Sequence, residues 1–270
     1  MGFDLASQGW RANCRVSLAT GLGLCLADLP GAGRPLLLLH GFTDHGISYQ
    51  PLLRGLSGHS LIIPDLRGHG ASDQGESYRI SDFSDDIESL IDRLALDRPV
   101  LVGHSLGAIV ATDLASRMGN RIGGLITLAG TLRPDGPATA HMQQAISGFT
   151  DPINPADPFF ADWHAGAEKV SPGFHESLVR AACAMPVSVW QSVIAEVGKT
   201  DLAARAAQVA APALVIGGAD DPIFGPAHHR ALAAALRAEA HLLPDTSHNP
   251  HWQHPDIVAA LIRDFLARQA

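Results

Sequence analysis

Short aliphatic runs alternate with amphipathic helices along this chain, and that alternation limits the folds that it can adopt. Strands buried on both faces of a sheet give unbroken apolar runs, and the helices between them cover both sides of the sheet. The runs that predict buried strands are Pro35–His40, Ser60–Leu66, Val100–His104, Gly124–Leu128, Ala213–Gly217 and, more weakly, Ala240–Pro244. The chain is therefore predicted to be an α/β protein with a mostly parallel central sheet, and Val16–Leu29 is predicted to form an edge hairpin.

Two helices carry clear start signals and apolar faces. The first is predicted to begin at an N-cap, Ser81, and the last at Pro255, a residue that suits the first helical position. The apolar face of the first helix comprises Phe83, Ile87, Leu90, Ile91 and Leu94. The apolar face of the last helix comprises Ile257, Leu261, Ile262, Phe265 and Leu266. Both helices are expected to pack against the sheet with these faces.

One segment, residues 131–200, lacks any aliphatic run of strand length. It contains prolines, aromatic residues and pieces of helical length, so it is predicted to be a helical cap inserted between two strands of the sheet. Residues 1–130 and 201–270 would then form the core of a single domain. The apolar and aromatic residues of the cap are expected to enclose an apolar substrate pocket, and they include Met142, Phe159, Phe160, Trp163, Met185 and Trp190.

The composition argues against several classes of function. With 270 residues, 46% of them hydrophobic, the chain can bury a large core. Its formal net charge of −8 supplies neither the basic surface that nucleic acids require nor a polybasic segment for anionic lipid. The densest apolar run, Leu36–Leu39, is too short for a signal peptide or a membrane span. We therefore expect a cytoplasmic protein that acts on a small organic substrate and has no nucleic-acid or membrane partner.

The cysteine and histidine patterns do not predict a metal site. The cysteines lack a C-x-x-C spacing and are expected to be free thiols; they are Cys14, Cys25 and Cys183. His248, His251 and His254 are spaced three residues apart, but Pro250 and Pro255 interrupt any helix there. No metal and no cofactor is predicted.

The sequence Gly103-His104-Ser105-Leu106-Gly107 matches G-x-S-x-G, the pattern of a nucleophile elbow. It follows a predicted strand and precedes an apolar run of helical length. A sharp turn from strand to helix strains the serine backbone and leaves no room for side chains at the two flanking positions, which explains both glycines. We predict that Ser105 is a nucleophile at a helix N-terminus, where developing negative charge is favoured. A serine that only capped the helix would not need this pair of glycines.

A serine hydroxyl needs a base to take its proton and an acid to orient that base. In such a sheet these groups lie on loops beyond the carboxyl ends of strands, in the chain order serine, acid, histidine. Asp220 and Asp221 both follow the predicted strand Ala213–Gly217, and either could supply the acid. His248, on the loop before the last helix, is the predicted base. The alternatives are His251 and His254 and, less favoured, His40, His69 and His104.

Two backbone N–H groups are predicted to form an oxyanion hole, because main-chain donors are already oriented toward the developing charge. One is that of Leu106, directly after the nucleophile, and the other is that of Phe42, on the loop after the strand Pro35–His40. His104 and Trp163 are expected to line the substrate pocket.

With these residues assembled, the chain resembles the α/β-hydrolase family over nearly its whole length. Five motifs of that family occur in the family's order, and they are His40-Gly41-Phe42, Pro64-Asp65-Leu66-Arg67-Gly68-His69-Gly70-Ala71-Ser72, Gly103-His104-Ser105-Leu106-Gly107, Gly218-x-x-Asp221-Pro222 and Ser247-His248-x-Pro250. The resemblance implies the α/β-hydrolase fold. It also implies an acid three residues after the glycine of the fourth motif, which favours Asp221 over Asp220.

The expected function is hydrolysis of a small, largely apolar carboxylic ester or lactone through an acyl-enzyme on Ser105. Dehalogenases and epoxide hydrolases of the family carry aspartate at this position, so the resemblance argues against both, whereas it leaves enol-lactonases and perhydrolases open. Carbon–carbon bond hydrolases are less favoured, because Thr43-Asp44-His45 does not match their usual glycine-rich turn. The remaining alternatives are a small-molecule receptor with slow turnover and a lyase that uses the triad as an acid–base pair.

Overall fold

The computed structural model describes residues 14–269. The strands are β1 Cys14–Ser17, β2 Gly23–Leu29, β3 Ala32–Leu39, β4 His59–Pro64, β5 Val100–His104, β6 Gly124–Leu128, β7 Ala213–Gly218 and β8 Glu239–Leu243. They form one sheet in the order β1-β2-β4-β3-β5-β6-β7-β8. Every predicted buried strand is present, with its ends shifted by at most three residues.

The sheet is mostly parallel, which confirms the predicted fold class. β1 and β2 form the predicted antiparallel hairpin, with Val16 opposite Leu24. β2 also runs antiparallel to β4, whereas the neighbours from β4 through β3 and β5 to β8 pair in parallel. The carboxyl ends of these parallel strands therefore lie along one edge, where the loops that follow them can meet.

Helices cover both faces of the sheet. They are α1 Gln50–Leu53, α2 Ile80–Arg93, α3 Leu106–Met118, α4 Pro137–Ser147, α5 Phe159–Trp163, α6 Pro172–Ala184, α7 Val187–Val197, α8 Ala203–Ala206, α9 Pro226–Leu236, α10 Pro250–Gln253 and α11 Pro255–Ala267. Short 3₁₀ turns lie at Gly46–Tyr49, Gly119–Arg121 and Ala167–Lys169. α2 and α3 pack on one face of the sheet, and α1 and α11 pack on the other.

Alternate residues of β3 enter two separate apolar layers. Leu37 and Leu39 lie in the layer that contains α2 and α3, whereas Leu36 and Leu38 lie in the layer that contains α1 and α11. All four side chains are fully buried. Because both faces of the strand are covered, both sets of alternate positions must be apolar, and the run is unbroken in the sequence.

Two local predictions about helices are wrong. Ser81 is not the N-cap of α2, because the helix begins at Ile80 and the cap is Arg79, whose N–H donates to the carboxylate of Asp82 at 2.9 Å. The N-cap therefore lies two residues earlier than predicted. Ile257 in α11 is 48% exposed, because the helix turns Val258 and Ile262 toward the sheet. The predicted start of α11 at Pro255 is correct.

The chain between β6 and β7 departs from the alternation of strand and helix. Within residues 129–212 the structure describes α4 to α8 and no strand. Aromatic rings from this segment pack over Phe42: the centroid of its ring lies 5.4 Å from that of Trp190 and 5.8 Å from that of Trp163.

In the part of the chain that is described, no helix alone has the length and apolarity to cross a bilayer; α6 and α7 meet that requirement only jointly, with a 94° bend between them.

Candidate active site

Ser105 lies at the sharp turn between β5 and α3. Its backbone has φ 49° and ψ −111°, a conformation that side-chain-bearing residues rarely adopt. A Cβ at Gly103 would overlap the carbonyl of Gly107, and a Cβ at Gly107 would overlap the carbonyl of Leu39. The glycines of the motif are therefore required by close backbone contacts, as the sequence predicted. The hydroxyl of Ser105 makes no capping bond to α3.

Three side chains from distant parts of the chain form a hydrogen-bonded series at the carboxyl edge of the sheet. Nε2 of His248 lies 2.9 Å from Oγ of Ser105, and Nδ1 of the same ring lies 2.9 Å from Oδ2 of Asp221. Asp221 and His248 are buried, and Ser105 is partly buried. Since a carboxylate can only accept, His248 donates from Nδ1, which leaves the lone pair of Nε2 free to accept the hydroxyl proton of Ser105. The arrangement can transfer a proton from Ser105 to His248.

The carboxylate of Asp221 is held by several donors. Its Oδ1 accepts from the N–H groups of Ile223 at 2.8 Å and Phe224 at 3.0 Å. Burial would raise the pKa of Asp221, but the neighbouring His248 and His229 and the Phe224 N–H together hold that pKa below its usual range. Asp221 is thus ionised at neutral pH. Asp220, the other candidate, has an exposed side chain and lies outside the series.

A second histidine lies beside the same carboxylate oxygen of Asp221 that His248 contacts. Nε2 of His229 is 3.4 Å from Oδ2 of Asp221, and its Nδ1 is 3.1 Å from the carbonyl oxygen of Gly130. The ring is fully buried, and Gly217 makes room for it, because a Cβ there would overlap the imidazole. His229 could not be predicted from the sequence, since its only signal was a position on the helix that follows the acid.

Both predicted oxyanion donors lie beside Ser105. Phe42 and Leu106 line the same cavity as Ser105. Leu106 is the first residue of α3, and the N–H groups of a first helical turn have no partner within their helix. The loop of Phe42 is fixed by His40, whose Nε2 accepts from the Leu66 N–H at 2.9 Å and whose Nδ1 donates to the Gly41 carbonyl at 2.8 Å. Burial lowers the pKa of His40 to about 3, so that the ring stays neutral and can accept this bond.

Two cavities flank Ser105, and they differ in chemistry. The first, called here the apolar cavity, has a volume of about 20 Å³. It is lined by Phe42, Ser105, Leu106, Ile109, Thr139, Met142, Trp163, Ile194, Val197, Ile223, Phe224 and His248. The second, called the polar cavity, has a volume of about 10 Å³. It is lined by Phe42, Asp44, His104, Ser105, Trp163, His164, His248, Asn249 and Trp252.

The structure therefore puts both residues expected in the pocket beside Ser105. Trp163 lines both cavities, and His104 lines the polar one. Of the other cap residues named from the sequence, Met142 lines the apolar cavity. The remaining four pack into or against the apolar layer that contains α3, and they are Phe159, Phe160, Met185 and Trp190.

The alternative histidines have other surroundings. His251 is fully buried against His104, with ring centroids 4.4 Å apart, and Nε2 of His254 lies 3.2 Å from the Asp245 carbonyl.

Among the described residues, Asp44, His104 and His251 bring potential metal-ligand atoms within 4.8 Å of one another. Nδ1 of His104 and Oδ2 of Asp44 are 3.9 Å apart. Two ligands of a tetrahedral zinc ion would lie closer, about 3.3 Å apart.

The comparison with known proteins agrees with the fold and the motifs. A model of the alpha/beta hydrolase family matches residues 36–261. The chain belongs to the alpha/beta hydrolase family. This hydrolase is 27% identical over 258 residues to 2-(acetamidomethylene)succinate hydrolase of Mesorhizobium japonicum, a match that covers 87% of this chain and 89% of the relative. It is 29% identical over 275 residues to 2-hydroxymuconate semialdehyde hydrolase of a Pseudomonas species, with 94% and 93% of the two chains covered.

Solved structures give the same fold. A thermophilic esterase from Thermogutta terrifontis, with malate bound, superposes on this hydrolase with a TM-score of 0.80 and 24% sequence identity. The match covers 95% of this chain and 98% of the esterase. At this identity the likeness establishes the fold of the hydrolase, and its chemistry must be argued from its own side chains.

Proposed function

We propose that this hydrolase cleaves a small, largely apolar carboxylic ester or lactone and forms an acyl-enzyme on Ser105. The observation that carries the proposal is the continuous series of Ser105, His248 and Asp221, in which both contacts measure 2.9 Å. A nucleophile, a base and an acid that orients the base are the groups that acyl transfer requires.

In the proposed cycle His248 takes the hydroxyl proton while Oγ of Ser105 attacks the substrate carbonyl carbon. The N–H groups of Phe42 and Leu106 stabilise the negative charge on the carbonyl oxygen. Protonated His248, held by Asp221, then gives its proton to the leaving alkoxide, and the ester bond breaks. His248 next deprotonates a water molecule, which attacks the acyl carbon and releases the acid and free Ser105. Side chains and backbone amides supply every group in this cycle, so the proposal requires no cofactor.

The cavities support a small substrate. The apolar cavity, at about 20 Å³, and the polar cavity, at about 10 Å³, are far smaller than usual ligand sites, so the lining side chains must move to admit even a small substrate. The lining of the larger one is mainly aliphatic and aromatic, with Ile109, Met142, Ile194 and Phe224 among its members. This lining favours an apolar acyl or alcohol group, because the burial of such a group is favourable in proportion to its apolar area.

The experiment that tests the proposal measures hydrolysis of p-nitrophenyl butanoate and of γ-butyrolactone by the wild type and two variants. Ser105→Ala should reduce turnover at least about a thousandfold. Ser116→Ala is the matched control, because that serine lies on the same helix and bonds only to the Asp113 carbonyl. Intact-mass measurement after rapid quenching of the p-nitrophenyl butanoate reaction should show one butanoyl group on the wild type and none on Ser105→Ala.

The other outcomes separate the alternatives. Undiminished cleavage by Ser105→Ala would remove Ser105 from the reaction. One equivalent of acylation without further turnover would indicate a receptor that traps its ligand. A lyase would form no acyl adduct, and a carbon–carbon bond hydrolase would leave simple esters intact while it cleaved a vinylogous diketone.

A further inference from the structure

The polar cavity lies beside Ser105, opposite in chemistry to the apolar cavity. We propose that it binds an uncharged hydrogen-bond donor of the substrate, a hydroxyl or an amide N–H, and that the carboxyl group of Asp44 accepts this bond. The inference rests on the proposed function, because it assigns the chemistry of one side of the substrate that Ser105 attacks.

Asp44 is a buried acceptor without a donor. It lies on the loop that carries Phe42, in a turn closed by its own N–H to the Gly41 carbonyl at 3.3 Å. Its side chain is about 5% exposed and lines the cavity that also contains Ser105. Within residues 14–269 its carboxyl group receives no hydrogen bond, and its nearest charge-capable neighbour is Nδ1 of His104 at 3.9 Å. A buried carboxyl group without a donor is costly, so a substrate that supplies one is favoured.

His104 cannot be that donor. Its Nε2 lies 2.9 Å from the carbonyl oxygen of His248, and a carbonyl only accepts, so the ring proton is on Nε2. The Nδ1 atom that faces Asp44 therefore presents a lone pair. Burial lowers the pKa of His104 to about 3, which keeps this nitrogen unprotonated at neutral pH. His104 therefore donates no hydrogen bond to Asp44.

The rest of the polar cavity supplies hydrogen-bonding groups but no fixed positive charge. Asn249 is 3% exposed, and its side-chain amide bonds to none of the described residues. His164 contributes an imidazole whose Nδ1 lies 3.2 Å from Nε2 of His175, and burial lowers the pKa of His164 to about 3. No lysine or arginine belongs to the lining among residues 14–269. A carboxylate on the substrate would meet no compensating cation here, so the cavity disfavours it.

An uncharged donor fits this lining better than an ammonium group. Burial raises the pKa of Asp44 well above its ordinary value, so the cavity does not offer a stable negative charge for an ion pair. An enclosed cavity would also remove water from the ammonium group at a large cost. A hydroxyl or an amide N–H needs only one good acceptor, which Asp44 provides.

The two cavities together predict an asymmetric substrate, with an apolar group on one side of the scissile carbonyl and a hydrogen-bond donor on the other. A site built around a buried polar group discriminates strongly against an analogue that leaves that group unpaired. Exchange of one hydroxyl for a methyl group should therefore change the rate far more than the small difference in size would.

The test compares kcat/KM for matched esters by titration of the released acid at constant pH. In the acyl series, methyl 3-hydroxybutanoate is paired with methyl 3-methylbutanoate. In the alcohol series, 2-hydroxyethyl butanoate is paired with propyl butanoate. The wild type should prefer the hydroxyl compound at least about tenfold in one of the two series, and that series identifies the side of the substrate that enters the polar cavity. Methyl 3-aminobutanoate carries an ammonium group and monomethyl glutarate carries a carboxylate. Both should be poorer substrates than methyl 3-hydroxybutanoate.

Variants then assign the preference to Asp44. Asp44→Leu should abolish the hydroxyl preference, whereas Asp44→Asn, which keeps an acceptor oxygen, should retain part of it. Asp162→Asn is the control, because that carboxylate is exposed on α5 next to Trp163, and its hydroxyl preference should equal that of the wild type.

A wild type that prefers the alkyl esters in both series would overturn the inference, and so would a hydroxyl preference that survives in Asp44→Leu. A preference for the ammonium or the carboxylate ester would assign the cavity to a charged group instead and would likewise overturn it. Failure of the proposed function is a different result, in which the wild type cleaves none of these esters faster than Ser105→Ala does. Circular dichroism establishes that each variant is folded, and the wild-type ratios test the inference even where a variant is not.

Discussion

The indole Nε1 of Trp163 donates a hydrogen bond to Oγ1 of Thr43 at 2.8 Å. Trp163 belongs to α5, in the segment between β6 and β7, whereas Thr43 directly follows Phe42, whose N–H is a proposed oxyanion donor. Thr43 has φ 69°, a strained value for a β-branched residue that the surrounding contacts must hold in place. The bond therefore connects the predicted cap to the loop on which transition-state stabilisation would depend.

Trp163→Phe should lower kcat for p-nitrophenyl butanoate about tenfold, because loss of one hydrogen bond frees the strained loop. KM should change less, since the phenyl ring still covers both cavities. The matched control is Trp190→Phe: the ring of Trp190 also packs on Phe42, but its indole N–H bonds to the Ala182 carbonyl at 3.1 Å, within the same segment, and not to the loop. Equal losses of kcat in the two variants would show that general loosening of the cap, and not the contact with Thr43, determines the rate.

Asp221→Asn should reduce kcat for the same ester at least about a thousandfold, because an amide can donate to His248 and stabilise the wrong tautomer. Asp220→Asn changes the neighbouring, exposed carboxylate in the same way and should leave kcat within about twofold of the wild type. Stopped-time assays of both purified variants give this comparison directly. A large loss in Asp220→Asn with none in Asp221→Asn would contradict the assignment of the acid.

Features that depend on local sequence could be predicted. The strands follow from unbroken aliphatic runs such as Leu36–Leu39, which must be apolar on both faces. The turn at Ser105 follows from two glycines that no other residue could replace without backbone overlap. The start of α2 could not be predicted exactly. The side chains of Ser81 and Asp82 can both accept a hydrogen bond from a backbone N–H at the start of a helix, and only the geometry shows that Asp82 does so.

Features that depend on distant contacts could not be predicted. The partner of Thr43 is 120 residues away, and the carbonyl that sets the ring proton of His104 is 144 residues away. In the sequence Asp44 was only a departure from a glycine-rich turn, and its place in a cavity depends on how the segment between β6 and β7 packs against the loop of Phe42. Such relationships arise from tertiary packing, and the spacing of residue types along the chain carries no signal for them.

The buried histidines predict that the protein loses stability in mild acid. Burial lowers the pKa of His40, His104 and His164 to about 3 and that of His69 to about 4. In the unfolded chain histidine takes up protons below about pH 6.5, whereas these native histidines stay neutral until about pH 4 or lower, so the unfolded state binds more protons in between. The free energy of unfolding is therefore highest above pH 6.5 and falls as the pH decreases toward 4.

His164→Gln provides the quantitative check. His164 faces His175, Phe160 and Trp252, and its removal takes away one group that resists protonation in the native state. Between pH 6 and pH 5 the decrease in the free energy of unfolding should be smaller in the variant by about 1 kcal/mol per pH unit. Urea titrations at a series of pH values measure this slope, and identical slopes in the two proteins would show that His164 does not contribute to the acid sensitivity.

His229→Leu should lower kcat for p-nitrophenyl butanoate about tenfold with little change in KM, because Asp221 would lose the buried imidazole that packs 3.4 Å from its Oδ2 atom and helps to fix the position of the carboxylate. The leucine keeps an apolar volume in the space beside Gly217, so the fold should survive with a loss of about 1–3 kcal/mol in the free energy of unfolding. His228→Leu is the matched control: it lies one position earlier on α9, where its Nδ1 is 2.9 Å from Oγ1 of Thr131 and it does not contact Asp221. Steady-state kinetics and urea unfolding of both variants separate the two effects. If both variants lose stability alike and only His229→Leu loses kcat, His229 positions the acid; a kcat equal to that of the wild type would limit His229 to packing.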